Sequence, residues 1–201
     1  MTIVSVEGRP LDDGELVRRA QEGDVGAYEE LVSRNGAIAQ RVAYLITGSA
    51  AEAEDAAQQA FVKAYYALGR FRRDAPFRPW LLRIVTNEAK NRIRSQGRQA
   101  GVAVRLQEGR PRDDAAPSPE VAILSKERSS TLMEALNTMK VADRTVIYLR
   151  YFLELSEAEM SVALGCRPGT VKSRLSRALG RLKTALGRDG ADLLKTEARD
   201  G

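Results

Sequence analysis

The side chains best suited to chemistry in this sequence are cations set beside amides and aromatic rings. Between positions 65 and 73, the run Tyr65-Tyr66-Ala67-Leu68-Gly69-Arg70-Phe71-Arg72-Arg73 interleaves rings with arginines. Shortly after it, Trp80, Arg83, Asn87, Lys90, Asn91 and Arg94 recur at helical spacing. Cations track phosphates, amides read base edges and rings stack, so this set suits single-stranded or locally opened nucleic acid. A second set, Thr170, Lys172, Ser173, Arg174, Arg177 and Arg181, lies near the other end of the chain. Arginine suits guanine edges and phosphates, and serine can bond to either. Composition argues against most other chemistry. Histidine is absent, which removes Ser-His triads, Cys-His dyads and histidine metal sites. A single cysteine, Cys166, leaves no intrachain disulfide and no cysteine cluster for a metal. No cofactor or metal is expected. The sequence also offers no Gly-rich phosphate loop, so an enzyme is disfavoured.

These side chains need helices to hold them. Hydrophobic residues make up 43 % of the 201-residue chain but aromatics only 5 %, so the apolar content is mostly Ala, Leu and Val. Ala and Leu favour helix. Asp12 can cap a short helix through Glu22. Asp24 can cap another that continues through Ile46 to Gly48. Ser49 and Glu52 form a capping box opening a helix to about Leu68. Further helices are expected over Pro79–Ser95, from Ser118-Pro119 to Thr138, and from Ala142 to Phe152. A second box, Ser156 to Glu159, opens a short helix; Gly165-Cys166-Arg167-Pro168 breaks it, and a long helix begins at Gly169. Short helix, Gly-containing turn and longer helix is the helix-turn-helix layout, with the first helix bracing the second. Cys166, in the turn, reads as a small packing residue rather than a reactive thiol.

Helical geometry sorts the faces. With Val171 at zero, Leu175, Leu179, Leu182 and Leu186 fall between about 20° and 80°, the expected buried stripe. Ser173, Arg174, Arg177 and Arg181 fall between about 200° and 300°, on the opposite side, with Lys172 flanking the stripe. With Trp80 at zero, Leu81, Leu82, Val85, Ala89 and Ile93 fall between about 100° and 220°, leaving the cations, amides and Trp80 on the other face.

Net charge is only +5, but it is distributed in blocks. Residues 12–60 carry ten acids against four bases, a net of −6, and residues 61–100 carry ten bases against two acids, a net of +8. Residues 169–188 carry six bases and no acid. Two basic blocks suggest two contacts with a polyanion, and the acidic block hints at a protein partner. The Gly- and Pro-bearing stretch between Gln96 and Pro119 reads as a flexible linker. The expected fold is therefore all-α: two small helical domains at 10–96 and 119–188, joined by a linker at 97–118 and followed by a tail at 189–201. Residues 1–16 lack an apolar core followed by a cleavage site, and no apolar run approaches the ~20 residues of a membrane helix. A cytoplasmic chain without membrane insertion is the expectation.

Several motifs carry a more specific resemblance. Asp55-Ala-Ala-Gln-Gln-Ala-Phe61, Tyr65 through Phe71, Phe77-Arg-Pro-Trp80-Leu-Leu-Arg-Ile84 and Asn87 together resemble region 2 of bacterial sigma factors. Leu155-Ser-Glu-Ala-Glu-Met160, Leu164-Gly165, Gly169-Thr-Val-Lys-Ser-Arg-Leu175 and Arg177-Ala178 resemble region 4. The absence of other regions is similar to the extracytoplasmic-function class, group IV. The resemblance implies a factor that binds core RNA polymerase and directs promoter-specific initiation rather than catalysing a reaction. It implies that Asp55, Gln58, Gln59 and Phe61 dock on the clamp helices of the largest polymerase subunit, with a further contact to the flap. It implies that Tyr65, Phe71, Arg72, Trp80, Arg83, Asn87, Lys90, Asn91 and Arg94 serve the minus-ten element and strand opening. Thr170, Lys172, Ser173, Arg174, Arg177 and Arg181 would read the minus-thirty-five element. Promoter DNA and an anti-sigma factor are the other implied partners. Met139-Lys140-Val141 departs from the Leu-Pro that members usually carry, and Asn91 stands where many have Asp.

The residues alone leave rivals open. One is a stand-alone helix-turn-helix regulator acting on duplex DNA without polymerase. Another is an adaptor that binds only protein, its basic faces merely solvated.

Overall fold

The computed structural model describes residues 11–104 and 128–190. Among them all regular elements are helical: α1 (Asp13–Gln21), α2 (Val25–Thr47), α3 (Ala50–Ala67), a one-turn 3-10 helix (Leu68–Arg70), α4 (Phe77–Val104), α5 (Arg128–Thr138), α6 (Val141–Tyr151), α7 (Glu157–Leu164) and α8 (Pro168–Gly190). The all-α expectation holds. The chain divides into two compact units, one around α1–α4 and the other around α5, α6 and α8.

The caps read at Asp12 and Asp24 form. The Asp12 carboxylate accepts from Glu15 N at 2.8 Å, and that of Asp24 from Ala27 N at 3.0 Å. Each satisfies an amide that the first helical turn leaves without a partner. Gly48 closes α2 at φ 71°, a left-handed conformation that glycine adopts without steric cost. In the first unit α3 packs on α2 and α4 through a face made wholly of alanine: Ala53, Ala56, Ala57, Ala60 and Ala64 are all buried. Small side chains let the three backbones approach closely. The bulk is supplied by the neighbours, Leu31 and Val42 from α2 and Leu81, Leu82 and Val85 from α4, all fully buried. Burying each leucine contributes about 1.5–3 kcal/mol.

Some boundaries differ from the sequence reading. Helix α4 starts at Phe77 and continues to Val104, past the expected end at Ser95 and into the segment read as linker. Helix α6 starts at Val141, with Lys140 at its cap making no side-chain bond. Its first turn is closed instead by the Lys140 carbonyl, which accepts from Asp143 N at 2.9 Å and Arg144 N at 3.1 Å. Helix α8 begins one residue earlier than expected, with Pro168 in its first turn, and extends to Gly190. The rest of the linker, the expected helix start at Ser118-Pro119 and the tail beyond Gly190 lie outside the described residues. No helix among the described residues is long and apolar enough to cross a membrane.

Candidate nucleic-acid interface

The C-terminal interface is built by the α7–turn–α8 segment. Ser156 and Glu159 cap α7 reciprocally: Glu159 N donates to Ser156 Oγ at 3.2 Å, and Ser156 N donates to Glu159 Oε2 at 2.8 Å. Gly165 takes φ 63°, and Cys166 N donates back to Ser161 O at 3.1 Å. Ser161 Oγ donates to Cys166 O at 2.7 Å, so the turn is pinned from both directions. The Arg167 carbonyl then accepts from Thr170 N and Val171 N and starts α8. Cys166 is half-buried, with its Sγ 3.9 Å from Arg174 Nη1.

Helix α8 buries Val171, Ala178, Leu182 and Leu186, while Leu175 and Leu179 are only half-buried. The buried arc is thus rotated toward Ala178, which falls near 340° on the wheel. It packs against α6 and α5, and these supply the main bracing expected of α7. Lys172, Ser173, Arg174 and Arg177 are exposed on the outer face and Thr170 is half-buried at its edge. Arg177 Nε donates to Ser173 O at 3.0 Å, laying its guanidinium along the helix.

Arg181 differs from its neighbours. The rotated arc brings it beside α6, where its Nη1 lies 2.5 Å from Asp143 Oδ2. Asp143 is 8 % exposed. Arg181 therefore partners a buried carboxylate while its side chain stays 55 % exposed.

In the first unit the expected residues separate into three groups. Arg83, Asn87, Asn91 and Arg94 are exposed along one face of α4, with Lys90 and Trp80 half-buried beside them. Tyr65 is exposed, its ring edge-on to Tyr28 at 5.0 Å, and Arg72 stands in solvent at the α3–α4 connection. The Arg72 guanidinium grips Asp74 and holds that carboxyl below its usual range. Phe71, expected to serve the minus-ten element, is buried. Its ring lies 4.6 Å from Trp80 and 6.0 Å from Phe77, so it anchors the connection in an aromatic cluster rather than offering a face to a base.

Along α3, Asp55, Gln58 and Gln59 are exposed and Phe61 is half-buried. The Phe61 carbonyl accepts from Tyr28 Oη at 2.5 Å, and burial pushes the Tyr28 hydroxyl up to about 12. Tyr66, named in the aromatic run but given no role there, is 82 % exposed. The signal was present in the spacing, because Asp55, Gln59, Val62 and Tyr66 share one helical face. Most acids of residues 12–60 stand in ion pairs, although the surplus itself is little changed, because Arg18, Arg19 and Arg34 are already counted in it. Glu15 and Glu22 hold Arg18, Asp24 holds Arg19, and Asp13 and Glu30 hold Arg34. Glu52 and Asp55 hold Arg92 across to α4. Arg92, counted in the basic block, is thus a bridge within the bundle.

Two regions of one protein family match this arrangement: sigma-70 region 2 over residues 31–99 and sigma-70 region 4 over residues 129–182. This chain is an RNA polymerase sigma factor of the sigma-70 family, of extracytoplasmic-function type. It is 37 % identical over 180 residues to the RNA polymerase sigma-H factor of Pseudomonas aeruginosa, covering 87 % of this chain and 93 % of that protein. It is 35 % identical over 177 residues to the ECF RNA polymerase sigma-E factor of Escherichia coli K12, covering 84 % and 91 %. Among solved structures, the sigma factor RpoE of Bartonella quintana, in complex with the anti-sigma factor NepR, superposes with a TM-score of 0.68 at 26 % identity, covering 82 % of this chain and 99 % of that one. CnrH, in complex with the cytosolic domain of CnrY, gives 0.62 at 26 % identity, covering 88 % and 98 %. Sigma factors are transcription initiation factors, not catalysts, and support promoter-specific initiation with RNA polymerase.

Proposed function

We propose that this sigma factor grips two promoter elements with its two units while bound to core polymerase. The carrying observation is the outer face of α8, where Lys172, Ser173, Arg174 and Arg177 stand exposed on a helix whose run from Gly169 to Arg188 contains no acid. An acid there would repel the phosphate backbone, and a helix so presented fits the major groove of a minus-thirty-five element. On the first unit, the exposed row Arg83, Asn87, Asn91 and Arg94, with Lys90 and Trp80 beside it, suits the backbone and bases of a minus-ten element. Tyr65 and Arg72 extend it toward the opened strand, while Phe71 acts as an internal anchor. Contacts to exposed bases offset the few kcal/mol of unpairing each base.

Core polymerase docks on the outer face of α3 through Asp55, Gln58 and Gln59, with Phe61 beneath, and on the flap through the second unit. Separate grips by the two units raise each other's effective concentration. Promoter binding falls steeply with salt, because phosphate contacts release counterions. The complexes of the similar RpoE and CnrH proteins support an anti-sigma factor as the partner that holds this chain inactive. Working with polymerase places the chain in the cytoplasm.

Run-off transcription with purified core polymerase tests the reading. Arg174→Ala and Arg177→Ala are expected to weaken promoter binding with core affinity intact. Asp55→Ala and Gln58→Ala are expected to weaken core affinity. A chain that initiates at no genomic promoter, or Arg174 and Arg177 variants that lose core binding, would overturn it.

A further inference from the structure

The connection from α3 to α4 carries Arg70, Arg72 and Arg73 over a few residues with no helix to stiffen it beyond the one-turn 3-10 segment. It is nonetheless held at defined points. Gln21, in the last turn of α1, donates from Nε2 to Leu68 O at 2.8 Å and to Phe71 O at 2.9 Å. Its Oε1 accepts from Arg73 Nε at 2.7 Å. One primary amide thus uses both its donors on backbone carbonyls and its acceptor on a guanidinium, the complement of bonds that also fixes which end is nitrogen. Helix α1 lies outside the residues matched by the family, and this is its one polar link to the connection among the bonds observed.

We propose that Gln21 is a positioning residue that fixes the Leu68–Arg73 connection in its DNA-binding conformation. The inference rests on the reading that this connection meets promoter DNA. The fastening is two-sided. The Phe71 ring is sunk against Phe77 and Trp80, and the carbonyls of Leu68 and of Phe71 itself are tied to Gln21. A backbone movement that drew Phe71 out of its cluster would break the Gln21 bonds, and loss of those bonds leaves the ring and the local bond from Phe71 N to Leu68 O to hold the connection. Arg73 is turned toward α1, whereas Arg72 is turned outward and braced by Asp74. The amide therefore sorts two adjacent arginines into one that secures the fold and one presented to phosphate. A connection ordered beforehand spares the complex the entropy of ordering it on binding.

Hydrogen exchange and promoter opening, measured together on the full chain with core polymerase, test this. Gln21→Ala and Gln21→Glu both remove the two donors, and Gln21→Glu keeps an acceptor for Arg73. For both variants, faster amide exchange confined to residues 68–74 is expected, with core affinity unchanged and open-complex formation reduced about tenfold, the lower end of what losing two or three net hydrogen bonds costs. Gln21→Ala combined with Arg73→Ala is expected to cost less than the sum of the two. Unchanged exchange at 68–74 in Gln21→Ala would overturn the positioning role. Faster exchange with wild-type opening would overturn its use in DNA binding. If the unmodified chain opens no promoter, the functional reading fails while the exchange result still judges the fastening.

Discussion

Removing Arg181 separates the two kinds of arginine on α8. Its guanidinium sits 2.5 Å from the carboxylate of Asp143, which is 8 % exposed and packed where α6 meets α8. In Arg181→Ala the carboxylate keeps its burial and loses this partner. Leaving a buried acceptor unsatisfied costs about 1–3 kcal/mol. The Arg181 side chain is itself 55 % exposed, so solvent screens part of the attraction and the lower half of that range applies. A loss of about 1–2 kcal/mol corresponds to roughly 4–16 °C in melting temperature for a unit of this size. Circular dichroism follows the melting of the full chain. The one tryptophan, Trp80, lies on α4, so its fluorescence reports the first unit and serves as an internal control. Arg181→Ala is expected to lower the helical transition of the second unit without moving the Trp80 transition. Arg181→Ala with Asp143→Ala is expected to cost less than the sum of the single changes. Arg174→Ala is expected to leave stability within about 0.5 kcal/mol. The reasoning is refuted if Arg181→Ala melts like the unmodified chain yet binds promoter DNA with one phosphate fewer in its salt dependence.

Two further outcomes follow from local conformation. Glu154, between α6 and α7, holds φ 53° with a side chain that pays the left-handed penalty of about 1–2 kcal/mol. Glu154→Gly relieves it at the cost of greater unfolded-state freedom, so a net gain of about 0.5–1 kcal/mol is expected in the second unit by urea titration, and a loss would contradict it. Tyr28 is held neutral by burial, its hydroxyl raised from 10.0 to about 12. The unfolded chain therefore releases this proton first, and the contribution, complete below pH 10, is lost as pH rises toward 12. Tyr28→Phe is expected to flatten the alkaline loss of Trp80-monitored stability over that window; an unchanged slope would show that another group governs it.

How far the sequence could be read depends on the range of the forces involved. Caps at Asp12, Asp24 and Ser156, the glycine at 48 and the helix break at Gly165 are set by neighbours within a few residues, and all of them formed as read. The outer face of α8 was also legible, because period and charge agree along a single helix. The fate of Phe71, Arg92 and Arg181 was not. Each lies on or beside a basic stretch, and each is claimed by a residue beyond its own helical turns: Phe71 by Trp80 across the connection, and, from farther along the chain, Arg92 by Glu52 and Asp55 and Arg181 by Asp143. A helical wheel gives relative angles but not the absolute direction of the core. The small rotation that buries Ala178 was enough to give the still exposed Arg181 a partner on α6.

The sequence by itself determined the helices, their order and the two-part basic character, since propensity, capping and periodicity act along the chain. It also carried enough motif to fix the family. The tertiary structure alone decided which charges remain available. Packing α3 against α4 and α6 against α8 brings acids to arginines that the chain separates by dozens of positions. The bases left exposed after those pairs form, not the basic blocks as counted, are the ones free to meet a polyanion.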